Sequence, residues 1–421
     1  MIREPLVMVC TCEIAGRVRG KGFPAREMTH RLTRGVGWMP TNTMISALGP
    51  IANSPFGARD DLILVPDRTT EVHVDFDDGG ADEWFLLGDL RHTDGRPWMG
   101  CPRDILRRAL GSLHDTAGVQ VLAAFEHEFT YDGIEDRPGA PYSLDAFRRQ
   151  GLFGEVLTAA LRRAGVEPDT FLPEFAPRQF EVTCAPTLGL RAADDAVIVR
   201  EMARATAHRL GSRVSFSPIL DPNGTGNGVH IHLSFRDDAG RAAMYDPAGP
   251  LGLSATARAF WAGVVHHMPA ICALTAPCPV SYVRLRPNRW APVTASVGQQ
   301  DREAAIRICP VLCVAAAADA GAQFNVEYRA ADAAASPYLA LAAIVFAGTD
   351  GIRRQLPLDV PARPLPDTLT TALDHLERTG AAREWFGADY LDAYLRHKRA
   401  EVAMTADMDD GARCATYAEV Y

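Results

Sequence analysis

Hydrophobic and polar positions change period along this chain, and the change divides it. Residues 5–14 form an apolar run behind Pro5, and residues 62–65 form a second, Leu-Ile-Leu-Val. Residues 70–76 alternate, with Val72, Val74 and Phe76 on one side, and residues 84–87 add a fourth apolar stretch. Runs of this length and period predict strands, because successive side chains of a strand point to opposite faces. From Pro102 onward a helical period enters. Residues 102–113 read as a helix with proline in its first turn, and residues 153–164 and 193–210 as Ala/Leu-rich helices between short strands. A proline-rich stretch, 356–366, precedes a helical tail from 368 to about 406. The expected architecture is α+β, with a small β-rich domain over residues 1–98 and a large α+β domain over residues 99–421.

Four strands of the second part carry polar side chains at every second position. The run Val-Leu-Ala-Ala-Phe-Glu-His-Glu-Phe-Thr at 121–130 puts Glu126 and Glu128 on one face. Two carboxylates so placed repel each other unless a cation holds them; a solvated strand end is the plainer alternative. In a second run Gln179 and Glu181 share a face, with Glu174 entering from the preceding turn. A third run begins with a loop from Asp221 through Asn223, Gly224, Gly226 and Gly228, whose glycines let backbone N–H groups approach an anion. The strand that follows aims His230, His232 and Ser234 to one side. In the fourth run Glu327 and Arg329 share a face, and Arg284, Arg302 and Arg307 lie between the last two runs. Singly, each run also fits an exposed, salt-bridged surface. Together, five glutamates and a histidine fill the inner shells of two hard divalent cations, and arginines suit carboxylate and phosphate. Metal plus arginine around phosphate is the equipment of phosphoryl transfer.

Composition narrows this. A chain of 421 residues, 47% hydrophobic and 23% charged, belongs with soluble globular proteins. Its net charge of −9 argues against a basic nucleic-acid or membrane-surface binder. Of 43 basic residues only Lys21 and Lys398 are lysine. Lys21 sits in Gly-Lys-Gly, which excludes a phosphate loop of the Gly-Lys-Ser/Thr type, and Schiff-base chemistry has almost no candidates. The arginine excess by itself is also what GC-rich coding produces. Nine cysteines without dense spacing or a CxxC pair imply reduced thiols, and Cys309 and Cys313 lack neighbouring partners for a zinc site. With no leader pattern and no apolar run near the roughly 18 residues of a membrane span, a cytoplasmic enzyme is expected. It should be a metal-dependent, ATP-using ligase or kinase without a phosphate loop.

The order of these runs resembles the glutamine synthetase superfamily. The likeness extends from Arg19-Gly20-Lys21 to the tail pattern of Leu365-Pro366, Leu369, Ala372-Leu373 and Lys398-Arg-Ala-Glu401. It implies a β-grasp-like N-terminal domain, a catalytic domain whose antiparallel sheet forms a funnel-shaped site, and homo-oligomers of two stacked hexameric rings. Carried over by motif, Glu128, Glu174 and Glu181 hold one Mg2+ or Mn2+, and Glu126, His230 and Glu327 hold the other. Arg284 and Arg329 grip glutamate, with Asn223 and Gly224 near its backbone end. Arg302 and Arg307 meet the transferring phosphate, while His232 and Ser234 lie near the ATP phosphates. The implied reaction forms γ-glutamyl phosphate, which an amine then converts to a γ-glutamyl amide.

Departures from the ammonia-using pattern bear on which amine. Trp290 stands where those enzymes carry a flap glutamate, and residues 36–57 contain no Asp or Glu. That loop offers Trp38, Met39, Met44, Ile45 and Leu48 instead. A small cation loses hydration there without a countercharge, whereas an amine with an apolar body fits. These features, with the seven-residue step from Glu174 to Glu181, resemble the γ-glutamyl-amine ligase branch, which includes enzymes for polyamines, methylamine, isopropylamine and aniline. An uncharged or apolar monoamine is the favoured substrate; ammonia, or a non-catalytic ring-forming relative, are the alternatives. Arg178, Asp301 and Val297 replace common family residues, and no basic residue lies between Arg307 and Glu327. The ATP contacts are therefore expected to be reduced or rearranged.

Overall fold

The computed structural model describes residues 2–311, 319–359 and 362–421. Its N-terminal sheet holds β1 (Leu6–Cys12), β2 (Val18–Pro24), β3 (Val36–Trp38), β4 (Leu62–Pro66), β5 (Val72–Val74) and β6 (Glu83–His92), with helix α1 (Met28–Arg34) beside them. The strand order is β2-β1-β6-β4-β3, with β5 also on β6; β1 and β6 are parallel and the other pairs antiparallel. The alternating run at 70–76 is shorter than its pattern predicts. Asp67 accepts a hydrogen bond from the Thr69 amide at 3.0 Å, which holds Arg68–Thr70 in a single 3-10 turn and delays the strand to Val72.

The second sheet holds β7 (Val119–Tyr131), β8 (Pro168–Pro173), β9 (Gln179–Cys184), β10 (Thr187–Leu188), β11 (Val214–Ser215) and β12 (Val229–Asp237). After β13 (Thr294–Ala295), which pairs apart with β17 (Arg363–Pro364), come β14 (Val297–Gln299), β15 (Ile306–Ile308) and β16 (Val326–Tyr328). The order is β14-β15-β16-β12-β7-β9-β8, with β10 and β11 also on β7, and only β14 and β15 run parallel. The helices are α2 (Pro102–Ala117), α3 (Leu144–Arg149), α4 (Phe153–Arg163), α5 (Leu190–Arg209), α6 (Ala255–Thr275), α7 (Ser281–Arg284), α8 (Ala320–Gln323) and α9 (Pro337–Arg353).

Helices α6 and α9 are apolar on nearly every side and buried, so they form a core layer and not a surface. They meet through glycine: a Cβ on Gly263 would lie 2.2 Å from the Ala347 carbonyl oxygen and 2.6 Å from the Gly351 Cα. Phe260 of α6 packs edge-on to Phe235 of β12 at 5.0 Å, and Thr275 shares a 2.9 Å hydrogen bond with the Tyr328 hydroxyl of β16. The sheet is thus backed on one face by apolar helices.

The two sheets are tied through one buried cation. Arg103, in the first turn of α2, pairs with Asp67 at 2.9 Å, Asp89 of β6 at 2.8 Å and Asp194 of α5 at 2.9 Å. Three carboxylates around one guanidinium supply the hydrogen bonds that a buried charge needs.

The tail departs from a single helix. It breaks into α10 (Leu369–Arg378), α11 (Gly380–Phe386) and α12 (Ala388–Met404), followed by α13 (Asp410–Ala418). Gly387 at φ 80° ends α11 in the left-handed region that favours glycine. In α12, Lys398 and Glu401 form a fully buried ion pair at 2.9 Å. Residues 360–361 of the proline-rich stretch, and Cys313, lie outside the described residues.

Candidate active site

The register of the second sheet sets the site. Glu128 of β7 lies directly opposite Glu181 of β9, Glu126 opposite His230 of β12, and His232 and Arg307 each opposite Glu327 of β16. Directly opposed residues share a face, so five neighbouring strands lay one row of acids, histidines and an arginine across the sheet. That row floors a cavity of about 570 Å³, closed at its sides by Tyr142, Glu174, Arg284, Trp290, Arg302 and Arg329. Glu174 is placed by the turn after β8, where its amide donates to the Gln179 carbonyl at 2.8 Å.

Glycines of the third run serve the protein's own groups. The Gly228 amide donates to Glu128 Oε2 at 2.7 Å. A Cβ on Gly226 would lie 2.5 Å from Cγ of Arg284, so the loop wraps the stem of that side chain closely. Arg284 is buried and donates to the Ala331 carbonyl at 2.8 Å.

Negative charge exceeds what the neighbours balance on one side of the row. Burial, with repulsion from Glu126, Glu128 and Glu174, pushes the Glu181 carboxyl up to about 10. Burial and Glu128 raise Glu174 as well, and the Tyr142 hydroxyl donates to it at 2.9 Å. On the other side the balance reverses. Although burial opposes ionisation of Glu327, hydrogen bonding from His232 and the charges of His230, His232 and Arg329 hold it well below the usual carboxylate range. Arg307 reaches it at 3.1 Å and Arg329 pairs with it directly.

The donors group differently from the motif-based expectation. One donor atom each from Glu126, Glu181 and His230 cluster together, and so do those of His232, Cys309 and Glu327. His232 stands between Glu126 and Glu327, with Nε2 at 3.1 and 3.0 Å from their oxygens, because its register places it beside Glu327. Carboxylate oxygens with one imidazole, under mutual repulsion, are a donor set that fits hard divalent cations.

Three expected contacts lie off the cavity. Asn223 and Gly224 sit in an exposed turn closed by Asp221, which accepts from both amides at 2.9 Å; Thr225, Gly226 and Gly228 line the cavity in their place. Ser234 is buried further along β12 with no hydrogen-bond partner for Oγ among the described residues. Trp38 and Met44 pack into the apolar cores, so of the five apolar residues expected to face an amine Met39, Ile45 and Leu48 stay half-buried. The sequence motifs do not single out Tyr142 or Arg289, which line the cavity, or Cys309, which lies beside His232 and Glu327. Cys309 follows Arg307 by two residues, so the period-two rule applied to Arg307 would have found it.

A row of carboxylates and histidines beside buried arginines is a site suited to a hard cation and an anionic substrate, and the comparisons with known proteins supply its class. Residues 3–98 match the profile "Glutamine synthetase N-terminal domain" and residues 99–410 the profile "Glutamine synthetase, catalytic domain", and the chain belongs to the glutamine synthetase family. It is an ATP-dependent carboxylate–amine ligase. Among relatives, it is 34% identical to the gamma-glutamylpolyamine synthetase GlnA3 of Streptomyces coelicolor, over 98% of this chain and 92% of that protein. It is 26% identical to type-1 glutamine synthetase 1 of Dictyostelium discoideum, over 99% and 89%. Among solved structures, a novel glutamine synthase homolog superposes with a TM-score of 0.96 at 43% identity, covering 100% and 99% of the two chains. The apo form of GmaS superposes with a TM-score of 0.81 at 28% identity, covering 96% and 94%.

Proposed function

We propose that the protein joins the γ-carboxylate of L-glutamate to a primary organic amine, consuming ATP, and that the amine is an apolar or aromatic monoamine. The carrying observation is Trp290. It lines the cavity and is 63% exposed, at the position where the family resemblance implies a flap glutamate in ammonia-using enzymes. An uncommitted indole offers an apolar amine a surface and offers ammonium no countercharge.

Mg2+ or Mn2+ held by Glu126, Glu128, Glu174, Glu181, His230 and Glu327 would neutralise phosphate charge. The chain's own residues do the rest. Arg284 and Arg329 orient glutamate through its carboxylates, and their burial makes those contacts strong. Arg302 and Arg307 stabilise charge on the phosphoryl group as the glutamate γ-carboxylate attacks ATP and ADP leaves. His232 positions Glu327 beside that group. The amine then attacks the γ-glutamyl carbonyl and phosphate departs.

We further assign residues 1–98 and 99–421 to separate domains, in keeping with the change of sheet between β6 and α2. Stacked hexameric rings would cover N-terminal apolar residues left exposed in one chain, Leu6 and Ile51 among them. Eight free cysteines among the described residues suit the cytoplasm.

The test is phosphate release from glutamate, ATP and Mg2+ across a panel of amines: ammonia, methylamine, isopropylamine, aniline and a polyamine. Turnover led by an apolar monoamine supports the proposal. Equal turnover with ammonia alone would assign a glutamine synthetase, and none with any amine would leave a non-catalytic relative.

A further inference from the structure

Cys309 has no part in the chemistry above, yet it stands among groups that do. It extends from the end of β15 on the face of Arg307. Its Sγ lies 3.5 Å from Glu327 Oε2 and 3.8 Å from His232 Nδ1. One donor atom from each of the three residues falls within 4.8 Å of the others. A tetrahedral ion with sulfur at ~2.3 Å and nitrogen or oxygen at ~2.0–2.2 Å sets its donors roughly 3.3–3.6 Å apart. Cys309 is half-buried beside His232, Arg307 and Glu327, which line the cavity.

We propose that Cys309, His232 and Glu327 form a site for a thiophilic divalent cation of the zinc class. Sulfur and imidazole select such an ion over Mg2+ or Mn2+, which prefer oxygen. Asn325 Oδ1, 2.8 Å from His232 Nδ1, gives up its hydrogen bond when the ion enters. The thiolate and the Glu327 carboxylate supply the ion's two negative charges, and Arg307 and Arg329, which hold Glu327 in the free protein, turn away from it as the ion binds. Cys309 and Cys313 lacked zinc partners as a sequence pair; the partners of Cys309 come from β12 and β16, across the sheet. Glu327 belongs to this trio and to the oxygen-rich set alike. A zinc-class ion bound here therefore withdraws it, and the ion inhibits the ligase. That consequence rests on the proposed function; the site rests on the three side chains.

Cobalt(II) added to the whole enzyme in excess Mg2+ is the probe. The expected result is a sulfur-to-cobalt charge-transfer band that saturates at one ion per chain and is removed by Zn2+. The band is lost in Cys309→Ser and kept in Cys184→Ser. No band at saturation, or a band that survives Cys309→Ser, overturns the site. Should that variant fail to fold, alkylation of the wild-type thiols decides: Zn2+ slows carboxymethylation of Cys309 by about tenfold or more and Mg2+ does not. Equal rates overturn the proposal. Absence of phosphate release with every amine would sink the ligase reading and leave the band unchanged, so the two failures are distinguishable.

Discussion

At Glu327 three cationic groups converge on one carboxylate whose side chain is almost wholly buried: Arg307, Arg329 and His232. Removing it leaves those charges facing one another without a counterion. Glu327→Ala is expected to lower phosphate release by about 10²–10³-fold, and to cost about 3–5 kcal/mol of stability by urea unfolding. Glu181 presents the opposite imbalance. Its carboxyl titrates near 10 in the folded chain, against an ordinary value of 4.5. Between those values the folded state keeps a proton that the unfolded state has released, so the metal-free protein loses stability as pH rises. Thermal melts in EDTA should fall between about pH 6 and 9, and Glu181→Gln should flatten that slope. Added Mg2+ should restore the wild-type midpoint, because the ion takes the place of the proton.

Among elements, the segment after α7 stores backbone strain. Asn288 and Trp290 hold φ values of 63° and 55°, a region that costs a side chain free energy. The Arg329 guanidinium meets the Trp290 carbonyl at 3.5 Å, so the strained turn is fastened to another side of the cavity. Trp290→Gly should relieve about 1 kcal/mol of strain, raising the melting temperature slightly. It should also raise KM for the amine about tenfold, a loss of about 1.4 kcal/mol, while KM for ATP stays unchanged. An unchanged amine KM would remove Trp290 from substrate recognition.

Elements with a strong local period were legible from sequence: β7 and β12, with their alternating acids and histidines, and α2, α4 and α5. The helical tail expected from 368 to about 406 divides at Thr379 and Gly387, which cap its helices and carry no apolar side chain to mark the breaks. Within the site, face and residue type were legible from alternation, but neighbours were not. His232 meets Glu327, and Cys309 meets both, only through cross-strand register, which depends on pairing between distant segments. The same limit hid Tyr142, which reaches Glu174 from a loop.

Across the whole molecule, the tail helices are held to the N-terminal segment through buried polar groups. His397 of α12 is fully buried with Nε2 at 3.3 Å from the Ile45 carbonyl oxygen. Burial and the adjacent Lys398 charge depress its pKa to about 3 from an ordinary 6.5. As pH falls from about 6.5 towards 3, the unfolded chain gains a proton that the folded chain refuses, so stability declines. His397→Gln should recover about 2 kcal/mol of the loss between pH 7 and pH 5, read from urea midpoints.

The buried pair of Lys398 and Glu401 has a practical corollary. With Lys398 sealed inside, Lys21 on β2 is the one lysine that the folded chain exposes. A reagent that acylates side-chain amines would therefore have Lys21, outside the cavity on the N-terminal sheet, as its one exposed side-chain target, with the chain's α-amine as the competing group.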